Sequence, residues 1–402
     1  MRAIVLLALA LPAVLDAQSR KRGRDLGIPF RGQTGPLNAI TDVPGVAVGH
    51  VTLISGNGRM ERGKGPVRTG VTAILPRPKS DWDHVMAATF NQNGNGDMTG
   101  VNWIQESGWL EGPILLTGTH SVGTVRDAAV QWQLARGREF LFTYPVVAET
   151  FDNLNDFNGQ HVKPEHAWNA LDSAQSGAVA EGAVGGGTGM GCNGFKGGIG
   201  TSSRVVRLDT STFTVGVLVQ CNYGGDLHIL GVPVGREITD MRACIALEGT
   251  PSRPSLRNVR RCGADPGGTD ATADADIGRG SIVVIVATDA PLIPRQLERI
   301  AKRVGMGLGR TGSWASNWSG DLFLAFSTAN RPTAGRGSVV PIRMILNDRI
   351  DPFFIATIEA TEEAIVNAML AAETMTGADG LRLHGLPGDR VMQAMRKYGR
   401  VQ

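Results

Sequence analysis

The residues with the clearest chemical potential lie at one junction of the chain, within DADIGRGSIVVIVATDAPL (274–292). An acidic, glycine-bearing segment ends at Gly280, and a pure β-strand run begins at Ser281. If the bond between them is cut, Ser281 gains an α-amine whose ordinary pKa of about 8 lets it act as a base at neutral pH. The junction raises the hypothesis of a self-exposed serine nucleophile. From position alone, a turn residue ahead of a strand is the simpler interpretation.

A glycine-rich segment, VGGGTGMGCNGFKGGIG (184–200), satisfies G-x-G-x-x-G through Gly189, Gly191 and Gly194. That motif indicates dinucleotide binding only between a strand and a helix, and the following FKGGIGTSSR is a poor helix start. We interpret the segment as a tight loop whose bare backbone permits close approach. The hydrolase elbow G-x-S-x-G is absent, because THSVG has Thr119 where a glycine is needed.

Four cysteines provide the second chemical feature. Cys244 and Cys262 bracket a polar, arginine-rich segment and are the best candidates for a disulfide. The spacing of the four cysteines differs from that of zinc sites, so no metal ion and no cofactor are predicted.

The N-terminal MRAIVLLALALPAVLDAQS has one arginine, an apolar run and a small residue at Ala17. This pattern predicts a secretory signal over residues 1–17. The run is shorter than the roughly 20 apolar residues that a membrane anchor needs. We therefore expect an exported, periplasmic or secreted protein that is not membrane-bound.

Composition describes a globular chain: 402 residues are 42% hydrophobic and 19% charged, with a net charge of only +3. The one basic cluster, RKRGR (20–24), adjoins the export signal and has no interleaved aromatic residues. It predicts a solvated tail rather than a nucleic-acid or membrane patch.

Strand and helix patterns surround these candidates. β-type runs between glycine-rich turns predict strands over 44–53, 70–76, 113–118 and 140–149. Helices are predicted over 120–137 and 166–175, a hairpin around DTST over 202–224, and a linker over 263–280. Beyond the linker, strands are predicted over 281–292, 320–328 and 339–346, and helices over 294–308 and 353–375, the last one amphipathic.

The order of these elements does not alternate regularly enough for a doubly wound sheet. Layered α+β architecture with antiparallel sheets fits better. The six near-continuous apolar residues from Ile282 to Ala287 need cover on both faces. The segment after the linker cannot supply all of that cover, so we expect one domain spanning the linker.

Five colinear segments carry a resemblance to a known family: PVVAETFDNLND, GGGTGMGCNGFKGGIGTSSR, VGVLVQCNYG, GRGSIVVIVATDAPL and GRTGSWASNWSGDLFLAFSTAN. Over roughly residues 25–400 the chain resembles the L-aminopeptidase/D-amidase-esterases and β-peptidyl aminopeptidases. The resemblance implies an αββα sandwich with two central, mainly antiparallel sheets. It also implies a self-cutting hydrolase acting on small peptides or aminoacyl amides and esters, including β- or D-residues in some members.

The same resemblance implies two chains of one precursor, an α-chain over 18–280 and a β-chain over 281–402, assembled as a tetramer of αβ units. Ser281 matches the nucleophile, and Ser319 and Asp321 match a polar pair beside it. Asn222 matches the side chain that supports the oxyanion, and Glu149 the carboxylate that holds the substrate's free amine. Without the resemblance, a turn cap, a turn residue and a surface strand end would be the simpler roles for Asp321, Asn222 and Glu149.

The sequence departs from the family pattern at three places. Phe151 replaces the tyrosine of some members, Asp321 replaces a glutamate, and the segment from Cys244 to Gly280 is longer than expected. Two other functions stay open at this point. One is an acyltransferase of the ornithine acetyltransferase type, which usually has a threonine nucleophile, and the other is a non-catalytic glycine-rich binding protein.

Overall fold

The computed structural model describes residues 22–138, 142–264, 280–331 and 338–402. The predicted signal segment and most of the predicted linker lie outside the described residues. The strands are β1 Ala47–Ser55, β2 Val67–Leu75, β3 Val85–Gly94, β4 Trp109–Leu110, β5 Ile114–Gly118, β6 Val146–Thr150, β7 Gly191–Cys192, β8 Phe195–Lys196, β9 Gly198–Leu208, β10 Ser211–Asn222, β11 Cys244–Ile245, β12 Ser281–Thr288, β13 Gly320–Ser327, β14 Met375–Thr376 and β15 Leu381–Leu383. The helices are α1 Val101–Ser107, α2 Val122–Leu134, α3 Pro164–Ser173, α4 Val234–Glu237, α5 Pro294–Arg310, α6 Asp351–Ala371 and α7 Gly388–Lys397.

Two large sheets form the centre of the molecule. A four-stranded sheet has the order β1-β2-β5-β6, and a six-stranded sheet has the order β4-β3-β13-β12-β10-β9. Within them only the pairs β5–β6 and β12–β13 are parallel, and the other neighbours are antiparallel. The predicted pair of mainly antiparallel sheets is therefore confirmed.

The apolar residues of β12 show how the layers stack. Val283, Ile285 and Ala287 face the core between the two sheets, where side chains from β1, β2, β5 and β6 meet them. The alternate residues of β12 face a second core that includes α5 and α6. A third core packs α2 and α3 on the outer face of the four-stranded sheet. The layers run helix, sheet, sheet, helix, which confirms the predicted αββα sandwich.

Strand register sets the positions of the site residues. Ser281 opens β12 and lies opposite Asn222, the last residue of the antiparallel β10. On the other side of β12, Ile282 is paired with Asp321 of the parallel β13. Asn222, Ser281 and Asp321, three of the predicted site residues, therefore lie at the same end of the adjacent strands β10, β12 and β13.

The segment over 339–346, VVPIRMIL, is not a strand, contrary to the prediction. Pro341 removes one backbone donor, and side chains replace a neighbouring strand as hydrogen-bond partners. The Asn330 carboxamide donates to the Arg343 carbonyl and accepts from the Arg343 N–H at 3.0 and 3.1 Å. Gln296 donates to the Ile345 carbonyl at 2.6 Å. The segment has the residue types that favour a strand, but some of its backbone groups bind these side chains instead of a neighbouring strand.

The basic cluster over 20–24 is not a solvated tail in its described part, which begins at Arg22. The Arg24 Nε donates to both carboxylate oxygens of Glu363 at 2.9 and 3.0 Å. Arg22 pairs with Glu181 at 2.8 Å. The prediction was wrong because buried carboxylates elsewhere in the chain, invisible in local composition, bind these guanidinium groups.

Helix α6 differs from the amphipathic helix that was predicted, because most of its residues are buried on all sides. It packs on β9 and β10 of the six-stranded sheet, alongside α5, and the Ser202 hydroxyl of β9 donates to the Ala360 carbonyl at 2.6 Å. Glu363 is buried within it and pairs with Arg204 at 2.7 Å. No helix in the described ranges is long and apolar enough to cross a membrane.

Candidate active site

An open cleft of about 550 Å³ lies where β12 begins, beside the ends of β3 and β6 and the residue that precedes Ser319. Ser281, Gly280, Glu149, Phe151 and Trp318 all contribute to its wall. Glu149 comes from the four-stranded sheet and Ser281 from the six-stranded sheet. The cleft thus opens where both sheets end, which brings together two residues that are far apart in the sequence.

Ser281 is 6% exposed, and its hydroxyl oxygen accepts a hydrogen bond from the Gly320 N–H at 3.1 Å. In the uncut chain the Ser281 nitrogen belongs to a peptide bond and is not an amine that could act as a base. A different group must take the hydroxyl proton in any first reaction of this serine.

The carboxyl group of Asp321 is a candidate, because Asp321 follows Gly320, whose N–H binds the Ser281 hydroxyl. The Ser319 hydroxyl donates to Asp321 Oδ1 at 2.6 Å, while Asp321 Oδ2 is buried and has no hydrogen-bond partner among the described atoms. Burial raises the pKa of Asp321 to about 6, although hydrogen bonds from Ser319 and the Ile282 N–H oppose the shift. The structure brings the predicted Ser319–Asp321 pair together, and Gly320 between them contacts Ser281.

The carboxamide of Asn222 lies across β12 from this pair. Its Oδ1 accepts a hydrogen bond from the Gly191 N–H at 2.9 Å. Its Nδ2 lies 3.1 Å from the position that a Cβ on Gly280 would occupy. Because the oxygen is engaged by a backbone donor, the two N–H bonds of the amide face the Gly280–Ser281 junction.

Glu149 is a buried carboxylate in the wall of the cleft, 3% exposed at the end region of β6. Its Oε1 accepts from the Asp97 N–H at 3.1 Å, and the Thr119 hydroxyl donates to its Oε2. Burial is the main cause that raises the pKa of Glu149; the hydrogen bonds from the Thr119 hydroxyl and the Asp97 N–H oppose the shift, and the Asp97 charge adds to it. A cation that entered the cleft would relieve this burial cost.

Residues 38–383 match the sequence profile of peptidase family S58. The chain belongs to this family. Two beta-peptidyl aminopeptidases named BapA are similar to it. The one from Sphingosinicella microcystinivorans is 49% identical over 384 residues, 94% of this chain and 93% of that protein. The one from Sphingosinicella xenopeptidilytica is 46% identical over 385 residues, 93% and 91% of the two chains.

Solved structures give the same assignment. An L-aminopeptidase D-Ala-esterase/amidase from Ochrobactrum anthropi, described as a variant of the Ntn hydrolase fold, has a TM-score of 0.81 and 42% identity over 95% of this chain and 99% of its own. A beta-aminopeptidase from Burkholderia sp. has a TM-score of 0.79 and 43% identity, covering 94% and 99%. The S58 peptidase described here is therefore a hydrolase that acts as an aminopeptidase. This finding favours the hydrolase over the acyltransferase and the inert binding protein.

Phe151 of the S58 peptidase lines the cleft beside Glu149. Its ring packs edge-on against Phe157, with centroids 4.9 Å apart. The wall at this position is apolar, since a phenylalanine ring carries no hydroxyl group.

Two disulfides are present in the S58 peptidase. The predicted Cys244–Cys262 bond is one of them, and Cys192–Cys221 is the other. Sequence reasoning left the second pair unassigned, because the two residues are separated by 29 positions and by no recognisable loop pattern. No three His, Cys, Asp or Glu side chains within the described ranges are grouped so as to hold a metal ion.

Sequence reasoning also missed Thr119, Asp97 and Trp318 as parts of the site. Thr119 was considered only as a failed nucleophile elbow, yet its hydroxyl binds Glu149. One signal was available: β5 ends just before Thr119, and parallel neighbouring strands finish at the same sheet edge. Trp318 directly precedes Ser319 and lies 58% exposed in the cleft wall.

Proposed function

We propose that this S58 peptidase cuts its own Gly280–Ser281 bond and then uses Ser281 as the nucleophile of an aminopeptidase. The observation that carries the proposal is that a strand-opening serine and the Glu149 carboxylate line one cleft, while the buried Ser319–Asp321 pair flanks Gly320, whose N–H binds that serine. These groups supply a nucleophile, a proton acceptor and an ammonium site, which is the set that aminopeptidase chemistry requires.

Self-cutting begins when the Ser281 hydroxyl attacks the carbonyl carbon of Gly280. Its proton passes through the Ser319 hydroxyl to Asp321, whose raised pKa suits it to accept a proton near neutrality. The C–N bond breaks as the Ser281 nitrogen takes up a proton, and an ester joins Gly280 to the Ser281 oxygen. Water hydrolyses this ester, which frees the hydroxyl and leaves Ser281 with its own α-amine.

Peptide hydrolysis repeats the same attack on a substrate. The α-amine accepts the hydroxyl proton, and the Ser281 oxygen attacks the carbonyl of the substrate's first residue. The Asn222 amide donates to the developing oxyanion, and the protonated α-amine then gives its proton to the leaving amine. Water removes the acyl group. Glu149 binds the free ammonium group of the substrate through a charge-assisted hydrogen bond.

The substrate class follows from the relatives and from the Gly280 position. The two Sphingosinicella proteins are named beta-peptidyl aminopeptidases. A Cβ on Gly280 would overlap the backbone carbonyl oxygen of Asn222, so no L-side chain fits on the carbon beside that reacting carbonyl. A β-residue substituted at its amine-bearing carbon has a CH₂ group there. We therefore propose N-terminal β-residues as substrates, with L-α-residues cleaved less readily.

Processing, assembly and export complete the proposal. The mature protein consists of an α-chain over 18–280 and a β-chain over 281–402, exported after removal of residues 1–17. The αβ units form a homotetramer. Exposed apolar side chains, including Val339 at 89% and Leu346 at 70%, are consistent with a surface that another subunit covers.

N-terminal sequencing of the purified protein tests the proposal. We expect two fragments, the smaller beginning Ser-Ile-Val-Val, and release of p-nitroaniline from β-homoalanyl p-nitroanilide faster than from L-alanyl p-nitroanilide. Ser281→Ala stays uncut, whereas the control Ser316→Ala, in the loop beside the cleft, is cut as the parent. Processing of Ser281→Ala at the same bond would show that a foreign protease does the cutting.

A further inference from the structure

Strands β7 and β8 form a short hairpin beside Asn222 that the proposed mechanism does not use. Its turn residues, Asn193 and Gly194, both have positive φ angles, 49° and 82°. This is the backbone that a two-residue hairpin loop with Asn-Gly favours. Residues 191–196 of the glycine-rich segment therefore fold as a hairpin.

The first connection of the hairpin to the site is the hydrogen bond from the Gly191 N–H to Asn222 Oδ1. An asparagine amide can rotate by half a turn at little cost in shape, which exchanges its oxygen and nitrogen. The Gly191 donor makes one orientation favourable and leaves Nδ2 toward Gly280. The direction of the proposed oxyanion donor thus depends on the position of Gly191.

The second connection is covalent. Cys192 follows Gly191 and Cys221 precedes Asn222, so the Cys192–Cys221 disulfide joins the chain neighbours of the two hydrogen-bonded residues. Both cysteines are 0% exposed. The disulfide consequently fixes the hairpin to the end of β10 at the place where the hydrogen bond forms.

The third connection is a lysine in an unusual environment. Lys196 is 0% exposed, and its Nζ donates to the carbonyl oxygens of Gly197 at 2.7 Å and Gly187 at 3.4 Å. Within the described ranges it forms no ion pair, although an isolated buried ammonium is costly. Burial lowers its pKa to about 7. Its ammonium group ties the hairpin to Gly187 in the preceding glycine turn.

We propose that the β7–β8 hairpin orients the Asn222 carboxamide, with Lys196 and the Cys192–Cys221 disulfide as its positioning groups. The inference rests on the proposed role of Asn222 as oxyanion donor. Neither positioning group touches the reacting atoms. Their loss therefore lowers kcat through Asn222 and leaves KM nearly unchanged, because the Glu149 ammonium site is separate.

Two variants and two matched controls test this. Cys192→Ala/Cys221→Ala removes the disulfide beside the site, and Cys244→Ala/Cys262→Ala removes the other one, whose cysteines do not adjoin Gly191 or Asn222 in the chain. Lys196→Met removes the buried ammonium at similar volume, and Lys163→Met changes an exposed lysine. With β-homoalanyl p-nitroanilide we expect both hairpin variants to lose about tenfold or more in kcat, short of the roughly 10²–10³-fold loss of a whole oxyanion donor. Both controls keep the parental kcat.

Combination with Asn222→Ala decides whether the loss passes through Asn222. If it does, Lys196→Met and the Cys192/Cys221 change cost nothing further in that background. Full additional losses of kcat would overturn the hairpin inference while leaving the role of Asn222 intact. An unchanged kcat in Asn222→Ala alone would instead overturn the proposed oxyanion role, and the inference with it.

If Cys192→Ala/Cys221→Ala is not processed and has no kcat to measure, the Cys192–Cys221 disulfide is instead reduced in protein that has already been cut. Processed Cys244→Ala/Cys262→Ala protein keeps only the Cys192–Cys221 disulfide, and phosphine reduction is followed by counting thiols. We expect kcat to fall as two thiols per molecule appear, with unchanged KM and far-UV circular dichroism. For Lys196→Met that is processed too slowly to be purified in cut form, the rate of self-cutting of the folded precursor replaces kcat, because the same carbonyl group reacts. A parental rate of either kind would refute the inference.

Discussion

Asp321 combines burial, one unbonded carboxylate oxygen and a pKa raised to about 6. If its charged form accepts the Ser281 proton during self-cutting, the cutting rate should rise as pH increases through about 6. Asp321→Asn keeps the shape but removes the acceptor, and we expect a loss of about 10²–10⁴-fold. The rate of fragment appearance on denaturing gels between pH 5 and pH 8 measures this. A parental rate in Asp321→Asn would leave Asp321 as a turn cap only.

The raised pKa of Asp321 also predicts that removing its charge by Asp321→Asn stabilises the folded protein at alkaline pH. A raised carboxyl pKa favours the folded state fully below the ordinary value of 3.8, and this contribution is lost as pH rises through about 6. Above pH 6 the charged Asp321 costs about 3 kcal/mol. In uncut Ser281→Ala protein, Asp321→Asn should therefore raise the free energy of unfolding in urea at pH 8 by up to that amount. Asp127→Asn, an exposed change, should have little effect; a destabilised Asp321→Asn would contradict the prediction.

Glu149 separates binding of the amine from the chemistry at Ser281. We expect Glu149→Gln to raise KM for a free aminoacyl p-nitroanilide, and acetylation of the substrate amine to cost roughly 2–5 kcal/mol in kcat/KM with the parent enzyme. In Glu149→Gln the penalty for acetylation should shrink, because the charge partner is gone. Glu165→Gln, an exposed change on α3, is the control. Equal turnover of free and acetylated substrates by the parent would exclude this role.

At the scale of the secondary-structure element, Gly280 is constrained by its position directly before β12, close to the backbone of β10. A Cβ here would overlap the backbone carbonyl oxygen of Asn222, and a backbone atom cannot turn aside as a flexible side chain does. Gly280→Ala should slow self-cutting and destabilise the uncut chain by about 1–3 kcal/mol. Gly309→Ala on α5 has open space around its Cβ and should be neutral or stabilising.

Fragment gels and thermal melts of the two glycine variants provide the measurement. Normal processing of Gly280→Ala with parental stability would show that β12 can shift away from β10. That outcome would also weaken the argument for substrates with an unsubstituted carbon beside the reacting carbonyl.

Elements with strong local patterns were predictable. The apolar run of β12 and the alternation of β9 and β10 specify their partners through burial, and the structure has them as predicted. The failures arose where distant residues decide the outcome. Asn330 binds both backbone groups of Arg343, within the segment 339–346 that was predicted as a strand. Glu363 similarly draws Arg24 onto α6.

The site was predictable only in part for the same reason. The sequence motifs identified Ser281, Asp321 and Glu149, and strand register explains why the first two are neighbours. No local pattern indicates that Thr119 binds Glu149 or that Gly191 binds Asn222, because those contacts exist only after the two sheets and the hairpin have packed.

At the scale of the whole molecule, the segments before and after the predicted linker contribute strands to the same six-stranded sheet. The adjacent strands β12 and β13 lie between β10 and β3, so residues after 281 are flanked on both sides by residues before 280. Both disulfides lie before Ser281 and do not join the two proposed chains. We expect processed protein to elute as one particle in native size-exclusion chromatography, and its fragments to separate in a non-reducing denaturing gel. Separation of the fragments under native conditions would contradict this.

The insertion of β12 and β13 between strands of the preceding segment also changes the molecularity of folding. Before the cut, unfolding converts one species into one other species. After the cut, unfolding is a dissociation, so its midpoint depends on protein concentration. Reassembly must then insert two neighbouring strands into a gap in a second polypeptide, a slow bimolecular event that competes with aggregation. The proposed mature enzyme would therefore have a topology whose efficient formation relies on a covalent connection that the cut removes.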